Sequence, residues 1–562
     1  MTTTDFQEYR VEAPTYEEVA ARYQSINAEL DAASDAESYS AAVETWDAYR
    51  RELSNWSAVV SIRFHQDTAN PEYKQAREYC DELSPKLTDL AVKMKRRLLA
   101  SPFREQLAAK YGDLVFELWT CDVATFDPVI EQDLVDQSKL ESEYTELVAT
   151  ARFEFQGETL TLSQLGKYAE HPDRELRHGA AKLGSEWFVE QQQQFDRIYH
   201  ELVQLRQQMA GKLDYDNFVP LGYKNMQRID YTQADVENFR AQVRDEVVPL
   251  CVELRRRQAE NLGLDKLYAW DEAIHDLQGN PRPAGDHDWL IERATEMFAA
   301  LGGGMDGFFD LMKQQHLMDL KSREGKAGGG FCHSLPSLKM PFIFANFNGT
   351  KGDVEVFTHE MGHAFQCYSS REQPLSDYLW PTTEACEIHS MGLEFLTWPQ
   401  MDLFFGDDAD RFRRLHLTES ILFLPYGVLV DHYQHLVYDR PEATPEERNA
   451  MWLDLESQYV PWRDYGDLAH PASGRRWQRQ LHIYGMPFYY IDYTLALTCA
   501  LQLWVRADQD REATMRDYVA LCRRGGEASF QELVKSVGIR SPFAPGCLSE
   551  VVARAQRELQ VG

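Results

Sequence analysis

At 562 residues the chain is longer than a single hydrophobic core usually supports, and its 44% hydrophobic and 12% aromatic content is ample for two lobes. A net charge of −32 argues against binding the like-charged backbone of DNA or RNA, and a solvated acidic surface is the expected result. A mean hydropathy of −0.49, with no run near the roughly 20 apolar residues of a membrane span, excludes a transmembrane helix.

In chain order the pattern is helical almost throughout. Thr15-Tyr16-Glu17-Glu18 reads as a capping box opening a helix from Glu17 to about Leu30. Further helices are expected at 41–65, 72–99 and 102–111, with Pro71 and Pro102 as breakers or first-turn residues. A helix over 133–155 runs into a small hairpin around Gly157, and helix returns over 171–213. No internal repeat or low-complexity linker divides the chain. The start, Met1-Thr2-Thr3-Thr4-Asp5-Phe6-Gln7-Glu8, shows no basic stretch followed by an apolar one, so no secretory signal is expected. Nine cysteines, scattered singly from Cys80 to Cys547, read as free thiols of a reducing compartment, and a cytoplasmic location is expected.

Five residues carry the chemistry: His359-Glu360-Met361-Gly362-His363. On a helix, histidines four apart share one face and reach one ion. The glutamate after the first is placed to take a proton from an activated water. A catalytic zinc needs a third protein ligand. The stretch from Thr383 to Glu394 supplies candidates, with Glu387, Ser390, Met391 and Glu394 on one helical face. Glu384 lies one turn earlier, and spacing alone does not choose between it and Glu387. His389 points off that face and reads as a packed histidine. No histidine lies between His363 and His389, which excludes a metzincin. Gly328-Gly329-Gly330 lacks the spacing and the Gly-Lys-Ser/Thr ending of a nucleotide loop. The aromatic stretch from Met340 to Phe347 after it reads as a short strand, whose edge an extended peptide can pair with. His432 and His435 lie in an apolar helical run and read as structural, and the pairs His171/His178 and His275/His287 as ordinary.

Four ordered blocks carry a resemblance. They are Pro341–Thr350, the His359–His363 helix, Glu387–Glu394, and His482-Ile483-Tyr484-Gly485-Met486-Pro487-Phe488-Tyr489-Tyr490-Ile491-Asp492-Tyr493. Through them the chain, most strongly from about Gly328 to Tyr493, resembles the thimet oligopeptidase and oligoendopeptidase F family of zinc endopeptidases. The resemblance implies one Zn2+ per chain on His359, His363 and Glu387, and Glu360 as general base. It further implies Glu394 orienting a ligand histidine, and His482, Tyr490 and Tyr493 stabilising the oxyanion. The three-residue interval to Tyr493 selects Tyr490, whereas the Phe-Tyr pattern of oligoendopeptidase F points to Tyr489, which is assigned here to substrate binding. Gly328, Gly329, Phe344 and Ala345 complete the implied substrate-binding set.

The fold implied is mostly α, two helical lobes around a deep channel with a small β-sheet beside the zinc helix. Residues 1–205 would form the N-terminal lobe and 206–562 the catalytic region. The substrates implied are unstructured peptides of roughly 5 to 20 residues, since extended chain covers about 3.3–3.6 Å per residue and must fit the channel. Two rivals remain: a zinc carboxypeptidase, which can carry the same helix, and an inactive relative that binds peptides without cutting them. Neither reading involves nucleic acid or membrane, and the oligomeric state stays open.

Overall fold

Thr15 opens the first helix as its sequence dictates. Its side chain accepts the Glu18 amide at 3.2 Å, and the Glu18 carboxylate accepts the Thr15 amide at 2.8 Å. The computed structural model describes residues 5–561. Helices α1 (Tyr16–Ala32), α2 (Ala36–Gln66), α3 (Pro71–Leu99), α4 (Arg104–Tyr111), α5 (Leu114–Ala124) and α6 (Glu131–Ala149) follow in turn. Helix α2 starts five residues before the expected Ala41 because Asp35 caps it, accepting the Ser38 amide at 2.8 Å. Helix α6 stops six residues before the expected Phe155. Residues 153–155 instead form β1 (Phe153–Phe155), which pairs antiparallel with β2 (Glu158–Leu160) across the Gly157 turn.

After the short α7 (Leu162–Gly166), α8 (Arg174–Lys212) runs 39 residues without a break. Residue 205, where the catalytic region was expected to begin, lies inside it. Helices α9 (Phe218–Asn225), α10 (Gln233–Gln242), α11 (Val248–Asn261), α12 (His287–Leu301) and α13 (Met305–Gln314) lead into a three-stranded sheet of β3 (Met318–Lys321), β4 (Phe331–Leu335) and β5 (Met340–Phe347). The rest is helical: α14 (Lys351–Ser369), α15 (Thr383–Leu396), α16 (Asp402–Phe405), α17 (Ala409–Asp439), α18 (Pro445–Tyr459), α19 (Leu481–Gly485), α20 (Tyr490–Gln509), α21 (Arg511–Arg524), α22 (Phe530–Ser536) and α23 (Ser549–Leu559). The fold is thus mostly α, as expected. No helix of the described residues is long and apolar enough to cross a membrane.

The strand order is β3-β5-β4, with β5 parallel to β3 and antiparallel to β4 in the register Phe331↔Phe344. The turn out of β5 is fixed by Asp353, whose carboxylate accepts the amides of Asn348 at 2.9 Å and Gly349 at 2.7 Å. That turn launches α14 directly from the sheet and packs it there. One core runs from Phe6 to Val561. A second, built from α1–α5 around Trp46 and Trp119, takes in Leu375 and Tyr378 from the segment after α14. The N-terminal helices are therefore tied by apolar burial to the segment joining α14 and α15.

Candidate active site

Gly362 decides where α15 lies. A Cβ at this position would stand 2.3 Å from the His389 carbonyl oxygen and 2.6 Å from Ser390 Cα, so only glycine lets the two helices approach this closely. The approach brings Glu387 onto the face that carries both histidines. Its Oε2 lies 3.3 Å from His359 Nε2 and 3.3 Å from His363 Nε2, and the imidazole centroids are 5.0 Å apart at 82°. Among the described residues this is the group of three His, Cys, Asp or Glu side chains able to hold one ion, with donor atoms within 4.8 Å of one another. Two imidazole nitrogens and one carboxylate are a donor set used by catalytic zinc sites.

Both imidazoles have their outer nitrogens engaged, which leaves Nε2 for an ion. His359 Nδ1 lies 2.7 Å from Glu394 Oε1, and His363 Nδ1 lies 3.4 Å from Cys386 Sγ. Glu394 serves a second ring as well. His416 Nε2 sits 2.8 Å from its Oε2, and Trp398 Nε1–H donates to His416 Nδ1 at 3.1 Å. Burial opposes charge on His416 while Glu394 favours it, with the balance upward. The indole N–H occupies Nδ1, however, so a second ring proton would break that bond; we read His416 as neutral, its proton on Nε2. Burial works against the Glu394 carboxylate too, but the hydrogen bonds from both histidines hold it down at about 2. Burial likewise disfavours charge on His359, yet its bonds to Glu387 and Glu394 lift it well above the ordinary imidazole value.

Glu360 lies on the same helix as the two histidines. Burial pushes its carboxyl above the usual range, and Oε2 is buried without any partner in the protein. A carboxylate left this way is a proton acceptor waiting for one. Gly330 keeps the space beside it open, since a Cβ there would stand 3.6 Å from Glu360 Oε1. Glu384, the alternative that spacing left open, is turned away from the histidines. It is fully buried near Asp492 and Arg228, where desolvation and the Asp492 charge raise its pKa.

The His482–Tyr493 segment closes the other side. Tyr489 donates its hydroxyl to Glu387 Oε1 at 2.9 Å, and its ring lies 4.9 Å from that of Tyr493. Tyr426 donates to Gln480 Oε1 at 3.1 Å, which directs the Gln480 amide at His482 Nδ1, 2.8 Å away. That bond makes Nδ1 the acceptor and leaves the proton on Nε2 of a ring that burial keeps neutral. The aim of Tyr489 originates one residue earlier. Phe488 has φ +66°, a left-handed conformation that is costly for a bulky side chain. Gln434 Oε1 accepts its amide at 2.9 Å and Arg228 Nη2 donates to its carbonyl at 2.5 Å, holding it there.

Residues 167–315 and 309–552 match the family described as Peptidase family M3, and residues 6–126 match the Peptidase M3 N-terminal domain. The chain belongs to peptidase family M3. Membership places it among the metallopeptidases. A putative oligoendopeptidase F structure is similar over 100% of this chain and 99% of its own, at 44% identity and a TM-score of 0.95. PZ peptidase A with inhibitor 2 gives 44% identity and a TM-score of 0.95 over 99% of both chains. A putative oligoendopeptidase F from Bacillus anthracis str. Ames gives 42% and 0.90 over 100% of this chain and 98% of that one. The oligoendopeptidase F homolog of Lactococcus lactis subsp. lactis (strain IL1403) is 22% identical over 295 residues, 51% of this chain. This match spans about half, 47%, of that relative's length.

One expectation needs correction in this M3 chain. Phe344 and Ala345 were expected on a strand edge open to a peptide, but β5 is the central strand, hydrogen-bonded on both sides, and both residues are fully buried. The sheet edges are β3 and β4, and the glycines before β4 concealed that strand in the sequence. A cavity of about 470 Å³ lies beside Cys332, His333 and Ser334 of β4, facing Ser57 and Ser61 of α2 and reaching Trp380, whose ring is 6.2 Å from that of His363. Gly328 and Gly329 precede this edge with open space where a Cβ would stand. The two tyrosines left open by the sequence are placed differently. Tyr490 is buried against Phe423 and Tyr426, ring centroids 5.7 and 5.9 Å away, while Tyr489 is the one on Glu387. His416 and Cys386 went unassigned. His416 lies 22 residues beyond Glu394 on another helix and leaves no local signal, whereas Cys386 stood beside Glu387 in the motif itself.

Proposed function

We propose that this chain is a zinc-dependent endopeptidase cutting internal bonds of short, unstructured oligopeptides in the cytoplasm. The observation that carries the reading is one geometry: the Nε2 atoms of His359 and His363 and the Glu387 carboxylate converge beside Glu360, whose Oε2 is buried and unpartnered. Those three residues would hold the Zn2+, one per chain. Bound there, zinc supplies Lewis-acid polarisation of a carbonyl and of water.

The protein's own groups do the rest. Glu360 accepts the proton of the attacking water and hands it to the leaving amine. His482 offers its Nε2–H and Tyr493 its hydroxyl to the oxygen that gains charge in the transition state, and Tyr489 would turn its one hydroxyl proton there from Glu387 once that carboxylate holds the ion. Tyr490 supports the wall behind them. Glu394 orients His359, with His416 behind it. The β4 edge takes the substrate backbone as an added strand, with Gly328 and Gly329 leaving room for it, so affinity comes mostly from main-chain bonds and sequence preference is loose. Residues 1–205 act as the second lobe, the far wall of a channel too deep for a folded protein to reach its floor.

The test uses Glu360→Gln, metal analysis and mass spectrometry of products from a mid-length peptide. Wild type is expected to release internal fragments and to lose activity with a chelator. The variant should keep its metal and lose about 10²–10⁴-fold in turnover. Stepwise loss of C-terminal residues would make the enzyme a carboxypeptidase instead. Wild-type turnover in the variant would remove Glu360 from the chemistry.

A further inference from the structure

Helix α14 is closed in by its neighbours along almost all of its length. Of its 19 residues Val356 alone is exposed, at 39%. A lone exposed valine is ordinary on a protein surface, and Val252 on α11, at 42%, is one. Val356 differs in where it stands. With His359, Glu360 and His363 it follows the spacing of three, four and seven that puts side chains on one helical face. Gly330 fixes the contact: a Cβ there would meet Val356 Cγ1 at 3.3 Å and Glu360 Oε1 at 3.6 Å. The valine and the general base therefore flank one glycine, and the open apolar surface lies within a side chain's length of Glu360.

The same row of contacts gives a bound peptide its direction. Along α14 the order is Val356, Glu360, His363. Along β4 it is Gly330 beside the first two, then Cys332 to Ser334 in the cavity that reaches Trp380, whose ring is 6.2 Å from that of His363. A peptide on β4 lies between these two ends. Glu360 delivers its proton to the leaving amine, so the residue that carries that nitrogen lies at the Glu360–Val356 end. The acyl half then lies toward Trp380, and the added strand runs antiparallel to β4.

We infer that Val356 is a specificity-determining residue, whose apolar surface receives the side chain of the first residue after the scissile bond and selects aliphatic or aromatic groups there. The inference deepens the endopeptidase reading above and rests on it. An apolar side chain laid on Val356 takes its own surface and the valine's out of water together. An acidic side chain gains nothing in exchange. The one cation of α14, Lys351, is already held by Glu355 at 2.9 Å and by Glu419 at 2.6 Å. The loose preference expected of a backbone-paired substrate is thereby narrowed at one position.

Peptides of one sequence that differ only at the residue after the cut, Leu, Phe, Ala or Asp, decide the matter, with each cleavage site mapped by mass spectrometry. Ratios of kcat/KM are compared within one enzyme, so a change in overall activity drops out. Wild type should prefer Leu over Ala by about 10-fold, and over Asp by more. Val356→Ala should bring the Leu:Ala ratio toward one and move the optimum toward Phe. Val356→Phe should invert the ratio by filling the space, and Val252→Ala, the surface control, should leave it where it was. Peptides varied at the residue before the cut should respond to neither Val356 variant. Stepwise release of C-terminal residues would end the endopeptidase reading and leave the subsite standing, with its preference read at the residue released. If no peptide is cut, that reading also falls, and the subsite is read from Kd of the Leu and Ala peptides by fluorescence anisotropy on wild type and Val356→Ala. A Leu:Ala ratio that neither variant moves, in cleavage or in Kd, or one that moves only for the residue before the cut, overturns the subsite.

Discussion

Helices α14 and α15 bring His359, His363 and Glu387 together through regular geometry, each donor set by its place on a helical face and the pair set by the absence of a side chain at Gly362. Tyr489 meets the same Glu387 from the opposite side by other means. It follows a backbone turn with φ +66° at Phe488, clamped by Gln434 of α17 and by Arg228 of the loop after α9. The helical half stores little strain, and its precision follows from periodicity. The tyrosine half costs about 1–3 kcal/mol in backbone conformation and owes its precision to the packing that enforces it. A site can therefore be half dictated by local sequence and half by tertiary structure.

The sharpest way to break the helical half is Gly362→Ala. Its Cβ would collide with backbone of α15, so the helices must part; we expect at least about 3 kcal/mol of destabilisation and loss of bound metal, followed by calorimetry and metal analysis. A variant that melts normally and keeps its metal would contradict the close-approach argument. For the turn, Tyr489→Phe should cost about 10²–10³-fold in kcat, whereas Tyr490→Phe should leave kcat near wild type. The reverse order would return the role to Tyr490. Glu394→Gln comes next, with metal affinity weakened about 10- to 100-fold in competition against a chromophoric chelator, and unchanged affinity would deny Glu394 its orienting role.

The smallest effect concerns pH and the packing behind the turn. His435, whose ring lies 4.9 Å from that of Phe488, is held down at about 3 from 6.5, because burial outweighs the neighbouring Asp431. Below pH 6.5 the unfolded chain takes up this proton, while the folded chain does not until about 3. Stability should accordingly fall as pH drops through that window and be fully present above it. His435→Gln should make the acid limb of the melting curve shallower by about 2 °C, read by scanning calorimetry at pH 4 and 7. An unchanged limb would show that His435 titrates normally in the fold.

How much of this was legible follows the same division. The zinc-type motif, the helical face carrying Glu387 and Glu394, and the strand from Met340 to Phe347 all follow from spacings of three, four and two, which local sequence records. That β5 is flanked on both sides was not legible, because β3 and β4 are short and β4 lies behind three glycines. The placement of Tyr489 was hidden for a related reason. The three-residue interval from Tyr490 to Tyr493 lies within α20, whereas Tyr489 precedes that helix and is aimed by the turn before it, which no interval records. His416 reaches Glu394 from α17, another helix, a relation no spacing encodes.

The carboxylate of Glu394 is shared by two rings on two helices, His359 on α14 and His416 on α17. Any ion held by His359 is for that reason thermodynamically linked to the docking of α17. Whatever tightens one must tighten the other by the same free energy. The 31 residues of α17 also carry Tyr426, which sets the tautomer of His482. The metal site and the far side of the active site thereby lean on one helix, with Pro425 standing between the two points of contact.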